Sequence, residues 1–157
     1  CPNKIEFYLE HQETFNLLKE KISSKPVLRI PNFDEPFYLQ CDASDTGLGA
    51  ALMQKVDDQY LPIEYASRKL LPREQNYSTI EKECLSIHWS IIHFQQYLYG
   101  KHFILQTDHR PLEYLNTAKM NNPRLSRWSL SLQPYKFTLE SIPGKDNVVS
   151  DYLSRAN

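Results

Sequence analysis

The chain has 157 residues, of which 41% are hydrophobic, so it is long enough to bury the core of one compact domain. Its 18 basic and 19 acidic side chains leave a formal net charge of −1, so the total charge gives no indication for or against binding of nucleic acid. The three cysteines lack the spacing of a disulfide framework and nothing resembles a signal peptide or a membrane span, so we expect an intracellular protein with reduced thiols.

The opening of the chain differs in character from the rest. Residues 5–22 carry a loose apolar stripe that predicts a helix, and Pro31 and Pro36 bracket an extended stretch after it. Because of this difference we expect residues 1–35 to be the end of a preceding domain. Residues 36–157 then form the domain proper.

Three strands in series are predicted next. Apolar runs at residues 37–43, 48–54 and 61–67 are separated by a turn around Gly47 and by the polar residues 55–59. Connections this short require antiparallel neighbours, because a parallel return needs a long crossover.

The longest predicted helix covers residues 78–97 and directs Glu83 toward its packed side. One apolar face recurs at steps of three or four residues and consists of Ile80, Cys84, Ile87, Ile91, Phe94 and Leu98. At about 100° per residue, Glu83 falls roughly 20° beyond the edge of this face, whereas Glu81 falls well outside it and is expected to face solvent. A lone ionised acid on the packed side would be costly, so Glu83 is the better candidate for a functional residue.

The remaining elements complete an α/β pattern. Strands are predicted at residues 102–107 and 136–142, and helices at 111–116, 123–132 and 148–155. The order predicts a five-stranded mixed sheet, with three antiparallel strands followed by parallel crossovers, flanked by helices.

Four carboxylates are expected to meet at one end of this sheet. Asp42 and Asp108 close two strands that can lie adjacent and parallel, and ligand sites form at the carboxyl ends of such strands. Glu83 reaches the same point from the long helix, and Asp151 opens the last helix, where the dipole favours an anion. Like charges repel at short range, so the cluster requires a cation, and oxygen-only ligation favours Mg²⁺ or Mn²⁺ over Zn²⁺. Two such ions could activate water and stabilise the leaving 3′ oxygen of a phosphodiester.

Structural interpretations stay open for the single charged residues. Asp42 could be a turn residue, Asp108 a helix cap and Asp151 a surface charge. The stretch from Lys101 to Lys136 is mostly basic, which suits phosphates if Asp108 holds metal, but it could also be a solvated helix face. The candidate phosphate contacts, for which simple surface charge is the alternative, are Arg110, Arg124, Arg127 and Lys145.

Five blocks of the sequence form an ordered set of motifs. They are Cys41-Asp42-Ala43-Ser44 with the glycine-containing residues 47–50, then residues 64–70, 76–85, 107–112 and 147–155. Together they resemble the ribonuclease H domain of gypsy-class LTR retrotransposon reverse transcriptases, over residues from about 15 to 155. The resemblance implies the ribonuclease H-like fold and an endonuclease that hydrolyses the RNA strand of RNA–DNA hybrids with two Mg²⁺ ions, for which Mn²⁺ can substitute. The catalytic and metal-binding acids that it implies are Asp42, Glu83, Asp108 and Asp151.

The resemblance also implies a larger setting. The segment before Pro36 is similar to the end of a polymerase or connection part, so the chain would be a fragment of a Pol polyprotein. The implied partners are an RNA–DNA hybrid and the upstream polymerase domain, inside an intracellular retrotransposon particle. Two departures stand out: residues 143–149 lack the histidine that cellular and retroviral relatives carry, which predicts slow turnover, and Ser150 replaces a common alanine.

Two other functions are consistent with this fold. A non-catalytic connection-type or domesticated binding module would bind the hybrid without cutting it, but such modules usually lose acids, and here all four are present. A strand-transfer enzyme such as an integrase core typically uses three acids and lacks a glutamate on the long helix between the third and fourth strands.

Overall fold

The structure is a computed structural model that describes most of the predicted sheet and the helices around it. The described residues are 30–107, 111, 113, 115 and 122–141. The helices predicted at residues 5–22 and 148–155 lie outside them. The division of the chain between residues 35 and 36 stays a prediction.

A five-stranded mixed sheet forms the centre of the described part. The strands are β1 (Tyr38–Ala43), β2 (Gly47–Val56), β3 (Gln59–Lys69), β4 (His102–Thr107) and β5 (Lys136–Ser141). Their order across the sheet is β3-β2-β1-β4-β5, with β1–β2 and β2–β3 antiparallel and β1–β4 and β4–β5 parallel. This arrangement confirms the predicted topology.

Strands β2 and β3 extend further than the sequence predicts, because only two residues separate them. Asp57 and Asp58 have φ angles of 51° and 63°, the left-handed conformation that both central residues of a type I′ turn require. An irregularity in the pairing occurs where Met53 lies opposite Pro62. Proline has no N–H to donate to the ladder, and a bulge accommodates it.

Among the helices whose bounds the structure describes, only the last has the predicted bounds. They are α1 (Pro72–Gln75), α2 (Thr79–His93), α3 (Gln95–Leu98) and α4 (Pro123–Leu132). The predicted helix 78–97 is interrupted at Phe94, whose backbone leaves the helical region, and α1 is too short for a periodic signal. Among the described residues, no helix is both long and apolar enough to cross a lipid bilayer.

The core lies between the sheet and α2. Strands β1 and β4 direct alternate side chains such as Leu39 and Phe103 toward Ile87 and Ile91 of the helix, and all four are fully buried. Each such side chain contributes about 1.5–3 kcal/mol when it is buried. This packing fixes α2 against β1, which is the contact that matters for the site. The partly buried indole rings of Trp89 and Trp128 pack against core clusters.

Candidate active site

Asp42 lies at the carboxyl end of β1, where this strand runs beside β4. It is half-buried and pairs across the antiparallel ladder with Gly49. In the parallel ladder, Gln40 lies opposite Gln106. Each glutamine stands two positions before a predicted catalytic aspartate in the sequence, Asp42 in one strand and Asp108 in the other. Asp108 itself, like Asp151, lies outside the described residues.

The two glutamates near the start of α2 have different environments. Ser78 and Glu81 form a capping box, in which the Ser78 hydroxyl accepts from the Glu81 N–H at 3.2 Å and a Glu81 carboxylate oxygen accepts from the Ser78 N–H at 3.3 Å. The second Glu81 oxygen is 2.6 Å from Nη1 of Arg124. Burial acts to raise the pKa of Glu81, but the hydrogen bonds from Ser78 and Arg124 outweigh it and hold that pKa below its usual value.

The expectation that Glu81 faces solvent is therefore wrong. Helix α4 packs against α2 and brings Arg124 to the face that Glu81 occupies. Glu83 is half-buried, which agrees with its predicted position at the edge of the packed face. The helix thus has one glutamate engaged in capping and ion pairing and a second glutamate that is a candidate for chemistry.

The residues on either side of Glu83 bind two separate chain segments. The Nζ of Lys82 donates to the carbonyl oxygen of Asp45 at 3.3 Å. The Sγ of Cys84 donates to the carbonyl oxygen of Pro111 at 3.3 Å. In the sequence, Asp45 follows Asp42 by three positions, and Pro111 follows Asp108 by three positions.

The turn between β1 and β2, residues 44–46, is fixed by its own hydrogen bonds. The Ser44 N–H donates to the carbonyl of Gly47 at 2.8 Å, and the Ser44 hydroxyl accepts from the N–H of Gly47 at 3.0 Å. The N–H of Leu70, just after β3, donates to the carbonyl of Thr46 at 2.8 Å. The segment that follows Asp42 is therefore held at both ends.

The two described cysteines do not compete with the carboxylates as metal ligands. Burial, followed by the charge of Asp42, raises the pKa of Cys41 to about 12. Burial, followed by the charges of Glu83 and Glu81, raises the pKa of Cys84 to about 12. Both thiols are buried, and a hard cation such as Mg²⁺ prefers oxygen to sulfur donors, so the donors that suit it here are carboxylate oxygens.

The predicted metal site includes residues outside the described ranges. Within those ranges, no three His, Cys, Asp or Glu side chains are close enough together to hold a metal ion. The predicted site needs Asp108 and Asp151 beside Asp42 and Glu83, and the first two lie outside. Its oxygen donor set, at the half-buried end of a parallel strand pair, fits a hard divalent cation.

The candidate phosphate contacts divide into two groups. Arg124 pairs with Glu81, and its guanidinium lies 3.9 Å from the ring centroid of Tyr77, so it has a structural role whatever else it binds. Arg127, on the same helix, is exposed. Arg110 and Lys145 lie outside the described residues. A role in nucleic-acid binding stays a prediction for all four.

One partly buried ion pair near the end of β3 was not predicted. Both guanidinium nitrogens Nη1 and Nη2 of Arg68 contact Glu74, at 2.7 and 2.9 Å, and the N–H of Leu71 donates to the same carboxylate at 2.8 Å. The Glu74 side chain is only 7% exposed. Glu74 stands three positions after Leu71, the residue that precedes α1, and a glutamate at this position is typical of a helix start. This pattern was the signal for Glu74 that the sequence contained.

We predict that the stability from Glu74 depends on pH in a defined direction. The hydrogen bond from Arg68 lowers the pKa of Glu74 in the folded state. The stabilisation from the ionised Glu74 is therefore complete above its pKa in the unfolded state, about 4.3, and is lost as the pH falls through its pKa in the folded state. Glu74→Gln should lower the free energy of unfolding by about 1.5–3 kcal/mol at pH 7. Urea unfolding between pH 7 and pH 3 measures this difference, with exposed Glu35→Gln as the control. A difference that stays constant across this pH range would contradict the prediction.

The sequence has relatives among transposon polyproteins. Residues 32–135 match the family described as "RNase H-like domain found in reverse transcriptase". The Pol polyprotein from transposon 412 of Drosophila melanogaster is 45% identical over 146 residues, which are 93% of this chain and 12% of the relative. The Pol polyprotein from transposon gypsy of the same organism is 37% identical over 155 residues, 98% of this chain and 15% of the relative. The chain therefore spans a small part of the relatives that it matches.

Solved structures share the fold. A foamy viral protease-reverse transcriptase in complex with RNA/DNA hybrid aligns with a TM-score of 0.59 and 19% identity, over 76% of this chain and 17% of that chain. The N-terminal RNase H domain of rv2228c from Mycobacterium tuberculosis aligns with a TM-score of 0.53 and 12% identity, over 77% of this chain and 91% of that chain. At these identities the comparison establishes a ribonuclease H-like fold and no more.

Proposed function

The chain belongs to the RNase H-like domains of reverse transcriptases, and from that membership we propose that it hydrolyses the RNA strand of RNA–DNA hybrids during reverse transcription. The match to the transposon gypsy polyprotein confirms the gypsy-class resemblance of the motifs. The curated relatives are much longer, so we propose further that the chain works beside a polymerase domain in a Pol polyprotein. Its place of action would then be inside the cell, in a retrotransposon particle.

One observation carries the proposal of catalysis. Strands β1 and β4 are parallel neighbours, so their carboxyl ends, which continue into Asp42 and Asp108 in the sequence, lie at the same edge of the sheet. The hydrogen bonds from Lys82 and Cys84 tie the helix at Glu83 to both segments that follow these aspartates. This network supports a site in which three acids from distant parts of the chain converge.

The proposed cofactor is a pair of Mg²⁺ ions, with Mn²⁺ as a substitute. The residues that would hold them are Asp42, Glu83, Asp108 and Asp151. When bound, Mg²⁺ activates the attacking water and stabilises the leaving 3′ oxygen of the RNA. The half-buried positions of Asp42 and Glu83 reduce screening by solvent, which strengthens the attraction of their carboxylates for a cation.

The substrate would be held through its backbone and its shape. Exposed Arg127 is the described candidate for a phosphate contact. Arg124 has five guanidinium N–H groups, and within the described part of the chain its pair with Glu81 uses Nη1, so Arg124 is a second candidate for a phosphate contact. Arg110 and Lys145 complete the proposed set. Recognition of a hybrid by groove shape and 2′-hydroxyls predicts little sequence specificity.

The test is hydrolysis of a labelled RNA–DNA hybrid by the full 157-residue chain. We expect cleavage of the RNA strand in Mg²⁺ and in Mn²⁺, with 3′-hydroxyl and 5′-phosphate ends, while matched double-stranded DNA stays intact. A hybrid that stays intact in both metals would overturn the proposal. Binding without hydrolysis would identify a non-catalytic module, and joining of DNA strands would identify a strand-transfer enzyme.

A further inference from the structure

Lys82 is a buried lysine of α2, the helix that carries Glu83, and it contacts the turn that follows Asp42. Its residue is only 8% exposed, although it lies in the first turn of a helix, where a lysine could extend into water. Lysine is almost never buried without a partner. Its partner here is Asp45, in the turn between β1 and β2.

The main link is to the backbone of the turn rather than to a side chain. The ammonium donates to the Asp45 carbonyl at 3.3 Å, whereas the Asp45 carboxylate is 3.8 Å away and its side chain is 80% exposed. An ion pair with so exposed a partner contributes little, because water screens it and the side chain is free to move. A carbonyl in a hydrogen-bonded turn has no such freedom.

The link joins two parts that are each rigid. Asp45 lies in a turn that Ser44 and Leu70 hold by backbone hydrogen bonds. Lys82 lies in α2, immediately before Glu83 in the sequence. We propose that Lys82 is a positioning residue, which sets the separation of the Asp42 and Glu83 carboxylates by tying the β1–β2 turn to α2. This inference rests on the proposed function, since it concerns the metal affinity of that site.

Charge and position predict effects of opposite sign when Lys82 is replaced. Removal of the cation next to Glu83 in the sequence makes this region more negative, which by Coulomb attraction would strengthen binding of a divalent metal. Loss of the link would let the two carboxylates separate, which would weaken binding. Supporting residues that orient metal ligands typically change metal affinity by about 10–100-fold when they are replaced.

The experiment measures Mn²⁺ binding to the full chain by isothermal titration calorimetry, with thermal unfolding to check the fold. We expect Lys82→Met to weaken Mn²⁺ binding by about tenfold. Lys82→Arg should recover most of the affinity, because guanidinium donors can also reach a carbonyl. Asp45→Asn keeps the carbonyl and should change affinity by less than about twofold. The matched control is Lys55→Met, which removes an equal charge from the Lys55–Asp58 pair at the far end of the β2–β3 hairpin.

Each outcome has a defined meaning. Unchanged or stronger Mn²⁺ binding by Lys82→Met overturns the positioning role, and so does a loss in Asp45→Asn as large as that in Lys82→Met. If Lys82→Met does not fold, Lys82→Gln replaces it with the same expected sign. If the unmodified chain binds Mn²⁺ and cleaves the hybrid but Lys82→Met behaves like Lys55→Met, only this inference fails. If the unmodified chain binds no Mn²⁺, the proposed function and this inference fail together.

Discussion

Asp42→Asn is expected to lower the rate of hybrid cleavage by about a thousandfold and to leave the fold intact. The substitution keeps the size of the side chain, so the pairing of this position with Gly49 at the end of β1 should persist. What it removes is the negative charge, and a neutral amide is a much weaker ligand for a hard cation than a carboxylate is. The effect should therefore fall on the reaction and not on the free energy of unfolding.

The comparison needs an aspartate that plays no part in the proposed site. Asp57→Asn is suitable, because Asp57 lies in the β2–β3 turn at a φ of 51°, a conformation that asparagine tolerates well. Cleavage rates at saturating hybrid and urea unfolding curves should be measured for both variants. Activity in Asp42→Asn close to that of Asp57→Asn would refute the role of Asp42. Loss of the fold would support the alternative that Asp42 is a structural turn residue.

A second large effect on cleavage should distinguish Glu83 from Glu81, which are two positions apart in α2. Glu83→Gln should reduce cleavage by at least about a hundredfold with little change in stability, because the proposed role of Glu83 depends on its charge. Glu81→Gln should instead lower stability and have little effect on cleavage. It weakens the cap at Ser78 and the ion pair with Arg124, which should cost about 1–2 kcal/mol of unfolding free energy.

Both variants should be assayed at a temperature at which Glu81→Gln is folded. Under that condition we expect its cleavage rate to stay within about threefold of the unmodified chain, since Glu81 is not among the proposed metal ligands. Equal loss of activity in the two folded variants would mean that the start of α2 acts as one unit in catalysis. The assignment of the chemistry to Glu83 alone would then be wrong.

The sequence is a good guide wherever the physical signal is local. The bounds of β4 and α4 are as predicted, because an apolar run before an aspartate and a proline at the first helical position mark them. The topology follows from connection lengths, since short links force antiparallel pairs. The angular argument placed Glu83 correctly at the half-buried edge of the packed face, but its expectation for Glu81 was wrong.

Contacts between distant segments are what the single sequence could not supply. Arg124 and Glu81 are 43 positions apart, and Lys82 and Asp45 are 37 positions apart. Nothing in the periodicity of one segment specifies which charge of another segment it will meet. For this reason Glu81 was expected to face solvent, and no contact was predicted for Lys82. The two-residue turn at Asp57 was missed for a different reason, because aspartate adopts the left-handed conformation without an obvious composition signal.

The contacts of Arg124 have a mechanical consequence. This side chain joins the first turn of α4 to the first turn of α2 through Glu81, and it stacks on Tyr77 just before α2. A hybrid bound to exposed Arg127 of α4 would therefore be linked, through Arg124 and Glu81, to the helix that bears Glu83. In the proposed complex, binding of the hybrid by α4 and the placement of Glu83 on α2 would both depend on the contact between Arg124 and Glu81.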